Sequence, residues 1–286
     1  MSQEEIHFTM PTATQHLFQT AISECINDNS PLLFYPSPNT TPCGQLKGRL
    51  GNASRFSSGK SVPVWKPSSS YSKTRNNDGE SDIDITRVCV IRIKSPSKLI
   101  HKLWFDQHSA RKKWDTTSCL DCEKTGSFVD ANNNPTNIFW LLSQPRPMIS
   151  AREFIYAYKE IPFQGKGKGR MYAGSSIKPD KVIDGISLEE YSSSRSDSVR
   201  KNAVQSYLQG MFRIEEVGKN VCDVTYCVRV KPNGSLPKSV AVLASNELMY
   251  TLFRLRERAE TLFVAAKMKK RKRIAAEEKN TLTSKL

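Results

Sequence analysis

Between Val221 and Ala266 a strictly alternating strand, a turn and a long amphipathic helix follow one another, and that order limits what the chain can become. In "VCDVTYCVRV", Cys222, Val224, Tyr226, Val228 and Val230 share one face, while Asp223, Thr225, Cys227 and Arg229 share the other. Asn233-Gly234 supplies a turn. Pro237 suits the first turn of a helix, where its missing N–H goes unused. Ala241, Ala244, Leu248, Leu252, Leu255, Ala259, Leu262 and Ala266 then form one stripe over 238–266, broad enough to lie across a sheet. A sheet that is apolar on one face and closed by such a helix is a container for an apolar ligand.

The remaining pattern assembles that sheet. "TRVCVIRI" reads as a strand, and strands are expected at 119–129, 137–143, 150–159, 171–177, 199–207, 211–217 and 221–230. Ser95-Pro96 is expected to open a helix burying Leu99, Ile100, Leu103 and Trp104, and Asp106 to cap a second short helix through Trp114. Consecutive strands with helices at the ends predict an α+β fold with an antiparallel sheet. Residues 1–28 hold an amphipathic first helix at 11–27. Residues 29–80, rich in Pro, Ser, Asn and Gly, read as a low-complexity, partly disordered insertion, with "SVPVWKP" as a short edge strand. Residues 81–266 form the main body and 267–286 a basic tail.

Four segments in register between Ser95 and Glu260 resemble the START family, the lipid-transfer module related to the steroidogenic acute regulatory protein. They are "SPSKLIHKLWFDQHSARKKWD" with its closing Trp114-Asp115, "SAREFIYAY", "VRKNAVQSYLQGMFRIEEVG", and "VTYCVRVKPNGSLPKSV" running into "LRERAE". Outside them the resemblance is weak, extending to Trp65 and a preceding helix. It implies a helix-grip fold, a curved antiparallel sheet closed over the C-terminal helix, with one lipid held between. It also implies a non-enzymatic protein without a cofactor. In sterol- and phosphatidylcholine-binding relatives a cavity-facing Arg stands where this chain has Tyr158. The acidic partner of the sterol-binding members falls on Phe139. A neutral or hydroxyl-bonded head is therefore expected, with Phe139, Phe154, Tyr156, Tyr158, Tyr226, Val228, Leu248 and Leu252 lining the cavity. Tyr156 and Tyr158 read equally well as ordinary amphipathic strand residues.

A net charge of +15 attracts anionic surfaces, whether acidic lipid or nucleic acid. The cations concentrate in "IPFQGKGKGR" and "KMKKRKR". In the first, Phe163 is expected to dip into lipid while Lys166, Lys168 and Arg170 hold headgroups, at about 1 kcal/mol per cation near the surface. In the second, Lys269, Lys270 and Arg271 serve a membrane tether, a nuclear-import signal, or simply a solvated helix end. The alternative reading, a nucleic-acid-binding or scaffold protein, lacks zinc ligands, a helix-turn-helix and an RNP-like strand. An enzyme of the wider helix-grip group is the weakest reading, since no Gly-x-Ser-x-Gly elbow or Walker loop is present.

No apolar run approaches the ~20 residues of a membrane span. The start lacks the pattern of a secretory signal, and seven scattered Cys suit a reducing compartment. The expected location is cytoplasmic with transient membrane association, or nuclear. Cys119 and Cys122 are expected to be free thiols on opposite faces of their strand, and no metal site is expected.

Overall fold

A computed structural model gives the fold and describes residues 48–52, 63–67, 71–75, 81–129, 135–146, 149–163, 167–176, 202–234 and 236–283. The expected first helix at 11–27 lies outside the described residues. The strands are β1 (Gly48–Asn52), β2 (Pro63–Pro67), β3 (Tyr71–Arg75), β4 (Ser81–Ile93), β5 (Cys119–Val129), β6 (Pro135–Ser143), β7 (Arg152–Ile161), β8 (Lys168–Ser176), β9 (Val204–Gln205), β10 (Tyr207–Gly218) and β11 (Val221–Lys231). Helix α1 (Ser97–His101) follows β4 and runs into a π-helical turn (Lys102–Asp106) and a 3₁₀ turn (His108–Lys113); α2 spans Lys238–Thr283. The sheet order is β1-β2-β4-β11-β10-β8-β7-β6-β5, all antiparallel, with β3 also against β4 and the short β9 parallel to β7. This is the curved sheet and long C-terminal helix of the helix-grip fold.

Within residues 29–80 the described segments are the three short strands β1, β2 and β3. "PVWKP" is not at the edge, because β1 lies beyond β2. Its prolines are tolerated because Pro63 and Pro67 stand at the two ends of β2.

Alternation sends Cys89, Phe139, Leu141, Phe154, Tyr156, Tyr158, Phe212, Tyr226 and Val228 to the inner face, where they meet Leu252, Leu255 and Ala259 of α2. The outer face is apolar as well. Val88, Ile138, Trp140, Ala157, Met171, Met211 and Cys227 form a second buried cluster there. The sheet is therefore not one-faced. "IFWLL" in β6 is a continuous apolar run, the signature of a strand buried on both sides.

Two caps differ from expectation. Pro96 itself occupies the N-cap of α1, and no side chain caps it. Asp106 ends a π-helical turn rather than opening a helix. Asn233 and Gly234 both have positive φ, 48° and 70°, and turn the chain into α2. The buried stripe of α2 ends near Leu262. Ala266 is exposed, and the helix runs on to Thr283 with residues 264–278 in solvent.

Candidate functional site on the inner face

One rung of the sheet sets Tyr172, Phe212, Tyr226 and Cys89 side by side on β8, β10, β11 and β4. The segment 97–114 seats its own rings on this floor. Trp104 stacks on Phe212 with centroids 4.5 Å apart and meets Tyr226 edge-on at 5.4 Å. Phe105 lies 4.0 Å from Tyr172 and meets Tyr158 edge-on at 5.7 Å. The π-helical turn buries Leu103, Trp104 and Phe105 in succession.

Tyr158 lies flat across two strands. Its register partner is Gly174 on β8, which pairs in turn with Gly210 on β10. A Cβ on Gly174 would stand 2.7 Å from the Tyr158 ring, and one on Gly210 would stand 2.4 Å from its hydroxyl oxygen. The two glycines form a slot for one phenol. Gly210→Ala is expected to destabilise the fold by about 1–3 kcal/mol through overpacking. Beside Tyr158→Phe the nearest ring atom is 3.5 Å away, an ordinary contact, so most of that loss should vanish. A double-mutant cycle followed by urea unfolding measures the coupling.

Polar groups gather on either side of the 3₁₀ turn. His108, 4% exposed, places its ring 4.4 Å from Phe139. Its Nε2 is 3.3 Å from the Tyr156 hydroxyl and its Nδ1 3.4 Å from the Trp104 carbonyl. Burial, helped by the Arg111 charge, lowers its pKa to about 3, so the ring is neutral. Burial raises the phenols, Tyr226 to about 12 and Tyr156 further.

Asp115, wholly buried, accepts from Arg111 Nε at 2.9 Å, Ser118 Oγ at 2.6 Å, Thr251 Oγ1 at 3.0 Å and Arg254 Nε. Burial is the largest influence on Arg111 and opposes its charge, but the Asp115 carboxylate together with Cys119, Tyr156 and Tyr226 outweighs it and holds the guanidinium pKa above its ordinary value. This node ties the Trp114-Asp115 corner to α2. It has no catalytic geometry of its own, and its signal in the sequence was the four-residue step from Arg111 to Asp115.

The candidate lining residues fall as follows. Phe139, Phe154, Tyr156, Tyr158, Tyr226, Val228 and Leu252 share the inner cluster. Leu248 lies in α2, with its side chain outside the described residues. Sequence reasoning missed His108, Arg111 and Arg87. Arg87 pairs with Val228 in the inner register and is buried, which lowers its pKa to about 10. Arg152 bonds the carbonyls of Ser150, Pro232 and Asn233 and so fastens β7 to the turn before α2.

The expected docking loop divides. Phe163 packs with the outer cluster, 5.6 Å under the Arg213 guanidinium and over Gly169, and does not project. Arg170 pairs with Glu160 at 3.5 Å, Lys168 is exposed, and Lys166 lies outside the described residues. Lys269, Lys270 and Arg271 are exposed on α2. Cys119 and Cys122 are free but do not face opposite ways. A bulge at Leu120, between the pairs Cys119–Ser143 and Asp121–Leu142, turns both thiols inward. Their mutual hydrogen bond and burial push the Cys119 thiol up.

Two solved structures share this architecture. Human STARD10 is 19% identical over 93% of this chain and 86% of its own, with a TM-score of 0.52. Human StAR-related lipid transfer protein 5 is 10% identical over 86% of this chain and 99% of its own, with a TM-score of 0.51. No family model matches the sequence, and neither does any curated protein. The likeness is one of fold: the chain has a START-like helix grip.

Proposed function

We propose that the chain binds one lipid between the inner face of its sheet and α2 and moves it between membranes without chemical change. The observation that carries this is the inner face itself, a continuous floor of aromatic and aliphatic side chains gripped by one long helix. The START-like fold, shared with a human protein described as a lipid transfer protein, supports the same reading. Each buried methylene contributes about 0.8 kcal/mol, so a long chain binds tightly with few polar contacts. Trp104 and Phe105 rest on the floor, so loading requires the segment 97–114 or α2 to shift. A membrane surface favours that open form by binding it preferentially.

Docking is assigned to the exposed basic stretch of α2, Lys267 to Arg273, with Lys168 and Arg170 on β8. Truncation after Ala266 is expected to lower binding to vesicles rich in acidic lipid at least several-fold at low salt. Affinity for lipid in solution should stay unchanged, because these cations lie beyond the buried stripe. Vesicle sedimentation across a salt series checks this. An unchanged profile removes the docking role.

The test of the function is transfer by the full chain between vesicles carrying sterols, phospholipids, sphingolipids and fatty acids, with native mass spectrometry of the purified protein. A single co-purified lipid and measurable transfer are expected. Co-purified nucleic acid with no transfer overturns the reading in favour of a basic nucleic-acid binder.

A further inference from the structure

We infer that His108 and Tyr156 form the polar end of this site and select a neutral head that donates a hydrogen bond, a hydroxyl lipid rather than a phosphodiester or a carboxylate. This rests on the lipid reading above and names the class of its ligand.

The Trp104 carbonyl can only accept, so the His108 Nδ1 facing it at 3.4 Å carries the ring's proton. Nε2 is then an acceptor, and the Tyr156 hydroxyl 3.3 Å away donates to it. Tyr156 has no second proton. What it presents to anything beside it is a pair of oxygen lone pairs, so the pair accepts and does not donate. The low pKa of His108 keeps this arrangement at neutral pH.

The surroundings point the same way. Phe139, paired with Tyr156 across β6 and β7, offers only a ring where an ionic partner is conceivable. Trp104 and Cys122 add no charge, the Cys122 thiol donating to the His108 carbonyl at 3.0 Å. Among the described residues of this polar cluster the cations are Arg111, bonded to Asp115 and Thr251, and Arg254, bonded to Asp115 and Ser118. Arg87 stands on β4, four strands from β7 in the sheet order. An anionic head beside Tyr156 would be desolvated against acceptors. A hydroxyl would donate to Tyr156 and remain uncharged.

His108 acts here through Tyr156, as a positioning residue that fixes where the phenol's proton goes. The full chain is equilibrated with vesicles containing two matched pairs, cholesterol with its 3-O-methyl ether and a diacylglycerol with its O-methyl ether, and separately with phosphatidylcholine and phosphatidic acid. The ethers keep the oxygen and lose the proton. In at least one pair the alcohol should be preferred by about 3- to 10-fold, the worth of one neutral hydrogen bond. His108→Phe keeps a ring against Phe139 and frees the Tyr156 proton. The ratio should then fall towards one through gained ether binding. A wild-type ratio near one overturns the inference, whether or not the variant folds. So does a ratio that His108→Phe leaves unchanged. Binding of phosphatidylcholine or phosphatidic acid but of neither alcohol overturns it while the lipid reading stands. Binding of no lipid at all brings down the lipid reading itself.

Discussion

Asp115→Ala is expected to destabilise the fold by about 3–5 kcal/mol, because it breaks a buried ion-pair network. Asp115 is wholly buried between two guanidiniums, and its two oxygens take four side-chain hydrogen bonds. Removing it takes away the carboxylate that Arg111 and Arg254 share in a buried site. Arg111 also lies 5.0 Å over the Trp104 ring, so its displacement would disturb the aromatic floor. The damage should be local before it is global. Hydrogen exchange ought to quicken along Tyr250–Ala259, where Thr251 and Arg254 reach across from α2, before β10 and β11 lose protection. Replacing Arg111, Asp115 and Arg254 together with Met, Leu and Met should restore most of the stability, since a well-packed apolar triad avoids the desolvation of three charges. Urea unfolding of the single and triple variants decides it. A loss under about 1 kcal/mol for Asp115→Ala would show that the node is open to water.

The parts of this fold that the sequence announces are those governed by a single local period. β11 alternates without interruption, and its inner residues Cys222, Val224, Tyr226, Val228 and Val230 all join the inner cluster. The turn at Asn233-Gly234 follows from the residue types that tolerate positive φ. Where two local signals compete, the sequence misleads. Cys119 and Cys122 have strand parity for opposite faces, and a one-residue bulge reverses it. Phe163 follows a strand and precedes a basic loop, the setting of a membrane-dipping residue, yet Gly169 opens a seat for its ring on the outer face. The candidate site was half legible for the same reason. Its strand residues follow from alternation. His108 depends on a π-helical turn closed by tertiary contacts, and no period of 3.6 or 2 predicts that. Arg87 sits at an inward position of β4 where a cation breaks the apolar pattern, so only burial in the folded sheet reveals it.

His108 should also make the fold sensitive to acid. Unfolded, its imidazole titrates near 6.5; folded, burial first and the Arg111 charge second lower its pKa to about 3. Between those values the unfolded chain binds a proton that the folded chain refuses. Stability is then fully present above about pH 6.5 and falls by about 1.4 kcal/mol per unit as the pH drops towards 3. By pH 4.5 the loss from this one ring is about 2–3 kcal/mol. The groups that face it are Arg111, whose charge repels an imidazolium, and Tyr156, whose hydroxyl can donate only to the neutral ring. The Trp104 carbonyl favours the protonated ring, but burial and the Arg111 charge outweigh it. Carboxylates contribute their own acid dependence, so the informative quantity is the difference between wild type and His108→Phe, in which those terms cancel. That difference should be flat above pH 7 and change steeply between 6.5 and 4, with the variant gaining on the wild type as the pH falls. Parallel profiles in urea titrations at each pH would mean that the ring is hydrated in solution, and the proton placement on which Tyr156 depends would fall with it.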